Sequence, residues 1–574
     1  MPSDCREKIL SNNYYDVVTD FPILPDQDNA IDLCYHSIEN LYTIIYMNKN
    51  QLPSANSYLY EYQSVPKLYG LMQEAGTGQR FDPSSLIASG ITRAQSPPLS
   101  LTGRGTIICV IDTGIDYTNP AFMDQNGDSR ILAIWDQTIQ TGTPPAGFEY
   151  GTEYTREDIN RALRSDEPYS FVPSRDEIGH GSALAGVAAG SRINSGYDYL
   201  GAAPEADIVV VKLKECKPYL RDFFLIPQGV PAYQENDIML AVQYGDSFVQ
   251  TFQRPVVFCL GLGTSYGDHA GSSALPRYLN LIARKRSRAV VVGGGNEGNT
   301  DHHFQGNLDN QSVASGTDQI PVEIRVEENA FGFILELWGN VPDVFTISVR
   351  SPGGETIPSI RLGVQESITY SFIYERTRIT VSGTLVERAS GEELILLRVQ
   401  DPTPGIWTFR VEAAGEIHNG EFHLWLPISA FLNVPCYFLE PTPYITLTEP
   451  AMAQDIISVT AYNASNNSFY IESGRGFSRN GAIRPDFAAP GVNIPTIRGS
   501  QSGTSMAAAI TAGAVAQFMQ WAVVERNNVQ VESQEIKNYF IRGASRSFDI
   551  SYPSREWGYG RLNLMGTFDA LIGV

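Results

Sequence analysis

Four short, continuous apolar runs between residues 101 and 299 constrain the fold most strongly. They are TIICVI (106–111), ADIVVVKL (206–213), PVVFCLGLG (255–263) and RAVVVGGG (288–295). Helix-like stretches at 180–190, 236–249 and 274–286 separate them. Continuous β-branched runs that alternate with helices predict a parallel sheet covered by helices on both faces. The predicted fold class is therefore α/β.

The α/β pattern stops near residue 320 and resumes after residue 450. It returns with IISVTAYN (456–463), a helix from residue 505 and SQEIKNYFIRGA (533–544). Between about 320 and 430 the helical period is absent and eight β-like segments follow one another: PVEIRVEE, FGFILELWG, VFTISVRSP, ITYSFIYER, RITVSGTLVE, EELILLRVQ, GIWTFRVEA and GEFHLWLPI. Eight antiparallel strands fit a sandwich or jelly roll. We therefore predict an all-β jelly-roll domain inserted into the α/β domain.

The first ~75 residues form a third, small unit by the usual size and composition cues. Strand-like segments occur at YYDVV (14–18) and YTIIYM (42–47), followed by LYEYQSVPKLYGLMQ (59–73). A unit of this size is only marginally stable alone on surface-to-volume grounds. We expect it to be a small α+β unit.

The charge and the cysteines exclude several classes of function. The formal net charge is −22, which argues against nucleic acid and anionic membrane surfaces as partners because both require a basic face. The six cysteines are scattered, with no CxxC pair and no metal-ligand spacing. A reduced protein without a disulfide framework is the expectation.

No targeting or membrane segment is predicted. The N-terminus MPSDCREKILSNNYYD has no apolar core of the kind that signal peptides carry, so no Sec-type signal is expected. The one long apolar run, Met506–Val524, is rich in alanine and is interrupted by Thr511, Gln517 and Gln520. We interpret this run as a buried helix rather than a membrane span.

Four polar residues are candidates for chemistry, and each one alone also has an ordinary structural explanation. Asp112 ends the first strand, where catalytic groups gather in open α/β sheets and where aspartates also serve turns. His180 opens a small-residue helix, either as a general base or as a core histidine. Asn296 follows a strand between glycines, as an oxyanion donor or a turn residue. Ser505 begins a helix, and Thr504 is available as the cap in its place.

Together the four residues form a recognisable order, because Asp…His…Ser is a catalytic order in its own right. The motifs are Asp112-Thr-Gly-Ile115, His180-Gly-Ser182, Gly295-Asn-Glu-Gly298 and Gly503-Thr-Ser-Met-Ala507. The sequence resembles the subtilisin-like serine proteases, or subtilases, over residues of about 100–300 and 450–574. Further similar segments are GAAPEADIVVVKLK (201–214), RPDFAAPGVNI (484–494) and WGYGRLNL (557–564).

The resemblance implies a serine endopeptidase with defined residue roles. Ser505 would be the nucleophile, His180 the base that takes its proton, and Asp112 the residue that orients His180. Asn296 and the Ser505 backbone amide would form the oxyanion hole. A substrate-binding strand would pair with the peptide backbone and contribute to the S1 wall; it consists of Leu260, Gly261, Leu262 and Gly263.

Two departures from the family pattern are visible. After His180 the family usually has Thr-His-Val, whereas this chain has Ser182-Ala183-Leu184. After Ser505 the usual Met-Ala-Ala-Pro becomes Met506-Ala507-Ala508-Ala509. Neither departure removes a catalytic atom.

The layout, a short N-terminal unit and a β insertion between Asn296 and Ser505, resembles that of the Csp-type germination proteases of spore-forming clostridia. The segments SLIASGITRAQ (85–95) and IDTGIDYTNP (111–120) resemble the same group. This resemblance implies a prodomain that the enzyme cleaves near residues 66–76 and can retain non-covalently. The implied domains are a prodomain (1–75), a catalytic domain in two parts (76–314 and 448–574) and a jelly-roll insertion (315–447). The implied substrate is the precursor of a spore-cortex hydrolase. Cytoplasmic synthesis and association with the spore are expected.

No cofactor is expected. Subtilases often bind calcium, but no ligands can be assigned here. Asp124-Gln-Asn126-Gly-Asp128 breaks the EF-hand spacing, and its Asn-Gly pair predicts a hairpin turn instead.

Two other functions compete with the protease interpretation. A catalytically silent relative would serve as a signalling or scaffold protein, although all four candidate positions are intact. An esterase would use Ser265 in Gly263-Thr-Ser-Tyr-Gly267, which matches GxSxG. That motif requires a helix directly after the serine, and the first helix-like stretch begins only at Ala274.

Overall fold

The computed structural model describes residues 5–20, 33–51, 62–72, 74–75, 83–193, 199–309, 319–361 and 366–572. Seven parallel strands form the centre of its largest sheet. In spatial order the sheet runs Ser468–Phe469, Ile457–Asn463, Arg288–Gly293, Val256–Leu260, Ile107–Asp112, Asp207–Lys212, Ile131–Asp136 and Thr152–Thr155, with Phe487–Pro490 also paired to Ile457–Asn463. Only the two outermost pairings, those of Ser468–Phe469 and Thr152–Thr155, are antiparallel. The predicted α/β class with a parallel sheet is confirmed.

Helices cover both faces of this sheet, as the strand Ile107–Asp112 illustrates. Ile108 and Val110 belong to one apolar cluster, while Ile107, Cys109 and Ile111 belong to another on the opposite face. The side chains of a strand alternate between faces, so both faces of this strand are buried. The α-helices are Cys5–Leu10, Ser84–Ala88, Ile91–Ala94, Arg156–Leu163, Pro168–Phe171, His180–Ala189, Pro218–Phe224, Glu235–Phe252, Ala274–Ala283, Thr504–Met519, Ser533–Gly543 and Leu564–Leu571.

Two helices of small residues lie under the centre of the sheet. They are His180–Ala189 and Thr504–Met519, and every residue of both is buried. A Cβ atom added at Gly513 would lie 2.8 Å from the Ala188 carbonyl oxygen and 2.3 Å from Ala202 Cβ. The two helices therefore pack at a distance that only a residue without a side chain allows at this point.

The long apolar segment predicted to be a buried helix lies inside the protein. Thr504–Val524 has the length and the mean hydropathy, 1.4, of a membrane-spanning helix, but 83% of its most apolar window is buried. Core helices of this composition pass the same length and hydropathy test. Within the described ranges no second helix passes it.

The N-terminal unit is a helix and a three-stranded antiparallel sheet. Its strands lie in the order Tyr14–Thr19, Tyr42–Asn48 and Leu33–Ile38. Its apolar residues share one cluster with the helix Glu235–Phe252 of the α/β domain. The unit therefore buries its apolar face on its neighbour, as expected for a unit too small to stand alone.

The expectation of a reduced or cysteine-indifferent protein is wrong for one pair of cysteines. Cys5 and Cys34 form a disulfide within the N-terminal unit, with their Cα atoms 5.6 Å apart. The two cysteines are 29 positions apart in sequence, and no motif indicates the pairing. Folding of the first helix onto the sheet brings them together. The other four cysteines are free and buried.

A short strand, Leu68–Leu71, which we call the cleft strand, connects the N-terminal unit to the α/β domain. It pairs antiparallel with Tyr233–Gln234 on one side and with Leu262–Gly263 on the other. Three residues after the end of the cleft strand, Glu74–Ala75 pairs with Gly499–Ser502, which in turn pairs with Ile494–Thr496. The chain therefore adds a strand to two separate edges of the α/β domain.

The inserted β region consists of two antiparallel sheets, which we call the β unit. The six-stranded sheet runs His303–Asn307, Glu421–Trp425, Gly332–Gly339, Glu393–Gln400, Arg378–Thr384 and Glu366–Ser371. The five-stranded sheet runs Thr356–Ile360, Phe345–Arg350, Gly405–Ala413, Gln319–Val326 and Cys436–Phe438. Residues of both sheets form one apolar core. All eight predicted segments contain a strand, and the jelly-roll assignment itself stays a prediction.

The β unit also uses strands that lie outside the predicted eight. His303–Asn307 pairs along its whole length with Glu421–Trp425, so the unit begins before the predicted boundary at residue 315. The short strands Thr356–Ile360 and Cys436–Phe438 are further additions. These three are edge strands of their sheets, where the apolar pattern is weakest because fewer neighbours cover them.

We predict that Gly513→Ala destabilises the α/β domain by about 1–3 kcal/mol, the usual cost of overpacking. The added methyl group would meet a backbone oxygen that cannot turn away. Scanning calorimetry should show a lower melting temperature than for the unsubstituted chain. Gly415→Ala is the control, because that exposed bend has open space around its Cβ position. Equal melting temperatures for the two variants would contradict the prediction.

Candidate active site

Asp112 and His180 form a buried pair at the carboxyl end of the first strand. His180 Nδ1 lies 2.8 Å from both carboxylate oxygens of Asp112, and neither side chain is exposed. Burial alone would lower the pKa of His180, but the charge of Asp112 and its hydrogen bond, with Asp176 further away, outweigh burial and raise it. The pair therefore favours a proton on His180.

Asp176, which sequence reasoning did not single out, joins the two motifs around this pair. Its Oδ1 accepts hydrogen bonds from the Thr113 hydroxyl and the Gly179 N–H, both at 2.7 Å. Its Oδ2 accepts from the Ser182 hydroxyl at 2.6 Å and from the Ser182 N–H at 2.8 Å. The serine that replaces the usual threonine at 182 thus keeps the hydroxyl that this carboxylate binds. No motif marks Asp176, because its partners come together only in the fold.

Thr504 does not cap the Ser505 helix, contrary to expectation. Gly503 is the N-cap, with φ of 141° and no side-chain cap bond. The Thr504 hydroxyl and N–H instead donate to Asn296 Oδ1, at 3.1 and 3.0 Å. This pairing fixes which end of the Asn296 amide faces Thr504, so Nδ2 remains the donor end. Ser505 is the second residue of the helix, where backbone N–H groups have no partner within the helix.

His180 and Ser505 meet at Gly261. A Cβ atom added there would lie 2.9 Å from His180 Cε1 and 3.1 Å from Ser505 Cβ, so any larger residue would separate the two side chains. His180 Nε2 is buried and has no hydrogen-bond partner among the described residues. An unpaired buried imidazole nitrogen is costly, and the His180 ring and the Ser505 side chain both border Gly261.

The Ser505 hydroxyl donates a hydrogen bond of 2.8 Å to the backbone carbonyl of Met72. Met72 directly follows the cleft strand, and its own N–H donates to the Gly261 carbonyl at 3.3 Å. Leu71 and Gly70 lie opposite Leu262 and Gly263 in the antiparallel register. The carbonyl of Met72 is therefore presented to Ser505 by a strand of the same chain.

The structure brings Asp112, His180, Asn296 and Ser505 together at one end of the sheet. Three of the four residues expected on the substrate strand, Gly261, Leu262 and Gly263, contact the cleft strand through their backbones. Leu260 differs from that expectation: it ends the sheet strand and pairs with Ile111 and Val292.

A small pocket receives the Met72 side chain. The Thr448 hydroxyl donates to Met72 Sδ at 3.5 Å, and a Cβ at Gly263 would lie 2.6 Å from the same sulfur. Met72 is 4% exposed. Thr448 escaped sequence reasoning because it follows the β unit, far from the motifs in sequence.

The alternative sites have no comparable geometry. Ser265 is followed by turns rather than a helix, and His269 contacts its backbone carbonyl, not its hydroxyl. Asp124 accepts hydrogen bonds from the N–H groups of Asn126 and Asp128, as the predicted hairpin turn requires. Nowhere in the described part of the chain do three or more His, Cys, Asp or Glu residues form a group that could hold a metal ion.

Curated proteins similar to this chain include two from Bacillus subtilis (strain 168). Serine protease AprX is 26% identical over 275 residues, which cover 44% of this chain and 49% of the relative. Minor extracellular protease Vpr is 22% identical over 495 residues, which cover 82% of this chain and 52% of the relative. The chain spans about half the length of the curated relatives it matches.

Among solved structures, the CspB protease of Clostridium perfringens is similar with a TM-score of 0.75 and 30% identity, covering 86% of this chain and 98% of that one. The resemblance to subtilisin-like and Csp-type proteases is thereby confirmed, and these matches support a subtilisin-like serine endopeptidase. The family model described as "Subtilase family" matches residues 103–384 and 439–560, more than half of the chain. The chain belongs to the subtilase family.

Proposed function

We propose that this protein is a serine endopeptidase that cleaves its own Met72–Gln73 peptide bond. The observation that carries the proposal is the 2.8 Å hydrogen bond from the Ser505 hydroxyl to the Met72 carbonyl. Met72 would be the P1 residue, the one that contributes the carbonyl of the cleaved bond. The position falls within the segment 66–76 that the sequence predicts for self-cleavage.

The first step requires the Ser505 proton to move to His180. Before cleavage the hydroxyl donates to Met72, while His180 Nε2 has no hydrogen-bond partner in the described part of the chain. Rotation of the hydroxyl proton toward Nε2 frees the oxygen lone pair to attack the Met72 carbonyl carbon. Asp112 holds the Nδ1 proton and stabilises the imidazolium that forms.

Attack places a negative charge on the Met72 carbonyl oxygen. The Asn296 Nδ2 group and the Ser505 backbone N–H, at the positive end of a helix, would stabilise this charge. A side-chain donor of this kind contributes roughly 3–4 kcal/mol to stabilisation of the transition state. The Thr504 bonds to Asn296 Oδ1 hold that donor in place before reaction begins.

Collapse of the intermediate breaks the C–N bond between Met72 and Gln73. His180 returns its proton to the leaving nitrogen of Gln73, and the Met72 carbonyl remains as an ester on Ser505. A water molecule, deprotonated by His180, then hydrolyses the ester and restores the serine hydroxyl. Substrates would be peptides bound in the extended form that the cleft strand adopts.

We predict that the unsubstituted chain separates into residues 1–72 and a fragment that begins at Gln73, whereas Ser505→Ala stays whole. Removing Oγ removes the nucleophile and leaves the fold in place. Intact-mass measurement under denaturing conditions checks both masses. Ser265→Ala is the control and should cleave normally. Loss of cleavage in this variant would instead support the esterase interpretation, which assigns the chemistry to that serine. An uncleaved unsubstituted chain would instead favour a silent signalling or scaffold relative.

We predict that Asp112→Asn slows self-cleavage by about 10⁴-fold, the loss seen when a triad aspartate becomes an amide. Self-cleavage requires neutral His180, so the rate rises as pH passes through the raised pKa of His180. Without the carboxylate, burial dominates and the pKa falls, which moves the acid limb of the profile to lower pH. Cleavage of freshly synthesised chain in buffers of graded pH measures both effects.

Asp116→Asn is the control for this profile. Its Oδ1 accepts from Thr118 and Tyr169 rather than from His180. It should leave the position of the acid limb unchanged. An Asp112→Asn limb at the same pH as that of the unsubstituted chain would contradict the assigned role of Asp112.

We further propose that the N-terminal fragment stays bound after cleavage and blocks the cleft. A buried ion pair supports this: Lys217 Nζ lies 2.5 Å from Asp16 Oδ1, with side-chain exposures of 4% and 0%. Gln234 donates to Asp16 Oδ2 at 2.6 Å. Removing one partner of a buried pair typically costs about 3–5 kcal/mol because the other charge stays buried.

We predict that Asp16→Asn weakens retention of the fragment by two to nearly four orders of magnitude, by conversion of that cost at about 1.4 kcal/mol per tenfold. Size-exclusion chromatography of the cleaved protein at a series of dilutions measures it. Asp20→Asn is the control: its pair with Arg388 is partly exposed, and pairs of that kind contribute little. Co-elution of the two fragments of Asp16→Asn at every dilution would argue against this latch.

We also propose a role in spore germination. Support comes from the similarity to the Clostridium perfringens CspB protease and from the layout shared with Csp-type germination proteases. The physiological substrate would be the precursor of a spore-cortex hydrolase, and the protein would be associated with the spore. Incubation of that purified precursor with the cleaved protein, and with Ser505→Ala, tests the role; an intact precursor in both reactions would exclude it.

A further inference from the structure

The β unit contributes directly to the cleft that holds residues 68–72. Its chain leaves the α/β domain just after Asn296 and returns at Thr448, whose N–H donates to the Gly294 carbonyl at 3.0 Å. Both ends of the insertion therefore border the site. Between them, Ile428 and Phe431 lie against the cleft strand, and we call these two side chains the roof.

The roof is part of an apolar cluster to which all three parts of the chain contribute. Val65 and Leu68 come from the N-terminal segment, and Ile428, Phe431, Ile334 and Leu396 come from the β unit. Leu68 has no exposed surface, and the two roof residues are 4% and 1% exposed. The two roof side chains are thus held over the strand by the packed core around them and not by a loose loop.

Gly70 lies directly beneath the roof. A Cβ atom added there would be 2.6 Å from Ile428 Cδ1 and 3.1 Å from Phe431 Cε1. Real Cβ atoms do not approach other atoms to 2.6 Å, so the roof would have to move. The φ of Gly70 lies outside the left-handed region, so its backbone conformation is open to any residue. Space, and not backbone strain, calls for glycine here.

We propose that the roof makes the β unit a specificity element, which admits only glycine three residues before the cleaved bond, at P3. The proposal rests on the proposed cleavage after Met72, which makes Gly70 the P3 residue and Leu68 the P5 residue. Side chains alternate along a strand, so P5, P3 and P1 face the same way. The same apolar cluster that closes over P3 encloses Leu68 and selects an apolar residue at P5.

The class of substrate follows from these contacts. A protein substrate would present an extended segment with an apolar residue at P5, a large aromatic residue at P4, where Tyr69 is fully buried, glycine at P3 and an unbranched apolar residue at P1. Residues at P2 are less restricted, because Leu71 is only partly buried. The selection at P3 comes from the insertion, so it belongs to this chain and to relatives that place bulky side chains at the same two positions.

The test substitutes Gly70→Val and then enlarges the space with Ile428→Ala. Valine favours strands, so any loss comes from the roof and not from backbone preference. Gly70→Val should slow self-cleavage of the full chain at least tenfold, measured by intact mass over time. The double variant Gly70→Val with Ile428→Ala should cleave within about threefold of Ile428→Ala alone. Gly415→Val is the matched control, because this exposed glycine of the β unit has open space at its Cβ position, and it should cleave normally.

A second measurement does not depend on catalysis. In the uncleavable Ser505→Ala chain, hydrogen exchange reports whether the Met72 N–H, bonded to Gly261, is protected. Gly70→Val should speed its exchange at least tenfold, and Ile428→Ala should restore protection. If Ile428→Ala disturbs folding, Ile428→Val, which removes only Cδ1, should rescue Gly70→Ala in the same way.

The outcomes separate the two proposals. Normal cleavage and normal protection in Gly70→Val would overturn the roof, while leaving self-cleavage intact. A Gly70→Val defect that neither Ile428 variant relieves would also overturn it. If the unsubstituted chain is not cleaved at all, the proposed enzymatic function fails, and the exchange measurement still decides whether the roof excludes side chains at residue 70.

Discussion

The close contact of two small-residue helices with each other and with the sheet is the constraint on which the rest of the structure depends. His180 is the first residue of one helix and Ser505 the second residue of the other. At Gly513 the contact leaves no room for a side chain, so the distance between the helices is fixed by backbone. A rigid distance of this kind positions a histidine and a serine without flexible side-chain adjustment. The alanines after Ser505 are small enough to allow this close contact between the helices.

Much of this arrangement could be predicted because it follows from local pattern. The parallel sheet, both small-residue helices and the strands of the β unit reflect periodicity over six or more residues, which burial imposes directly. The motifs around Asp112, His180, Asn296 and Ser505 lie at strand ends and helix starts, where topology brings them to one edge. Contacts between distant segments could not be predicted. Asp176, Thr448 and the pair Cys5–Cys34 have no local signal, because only the fold makes them neighbours.

The register of the chain in the cleft could not be predicted either, because it depends on contacts between distant segments. Sequence reasoning could indicate residues 66–76 as a segment of interest, but not that the Met72 carbonyl faces Ser505. That register depends on pairing with two strands at once and on the fit of Gly70 beneath Ile428 and Phe431. Thr504 shows the same limit on a smaller scale. Its type suits a helix cap, yet its hydroxyl is drawn to Asn296, which lies more than 200 residues away in sequence.

The N-terminal unit shares its apolar core with the helix Glu235–Phe252. This contact affects how the amount of free enzyme depends on the amount of protein present. Before any cut, the cleft strand is held by a covalent tether, so its occupancy does not depend on how much protein is present. If the chain cuts itself at Met72 and keeps the fragment bound, as proposed, inhibitor and enzyme exist in a ratio of one to one, whatever the level of synthesis. The active fraction is then governed by dilution and by competition from substrate. Making more of the protein at high local concentration would add little free enzyme, whereas dispersing it would release more.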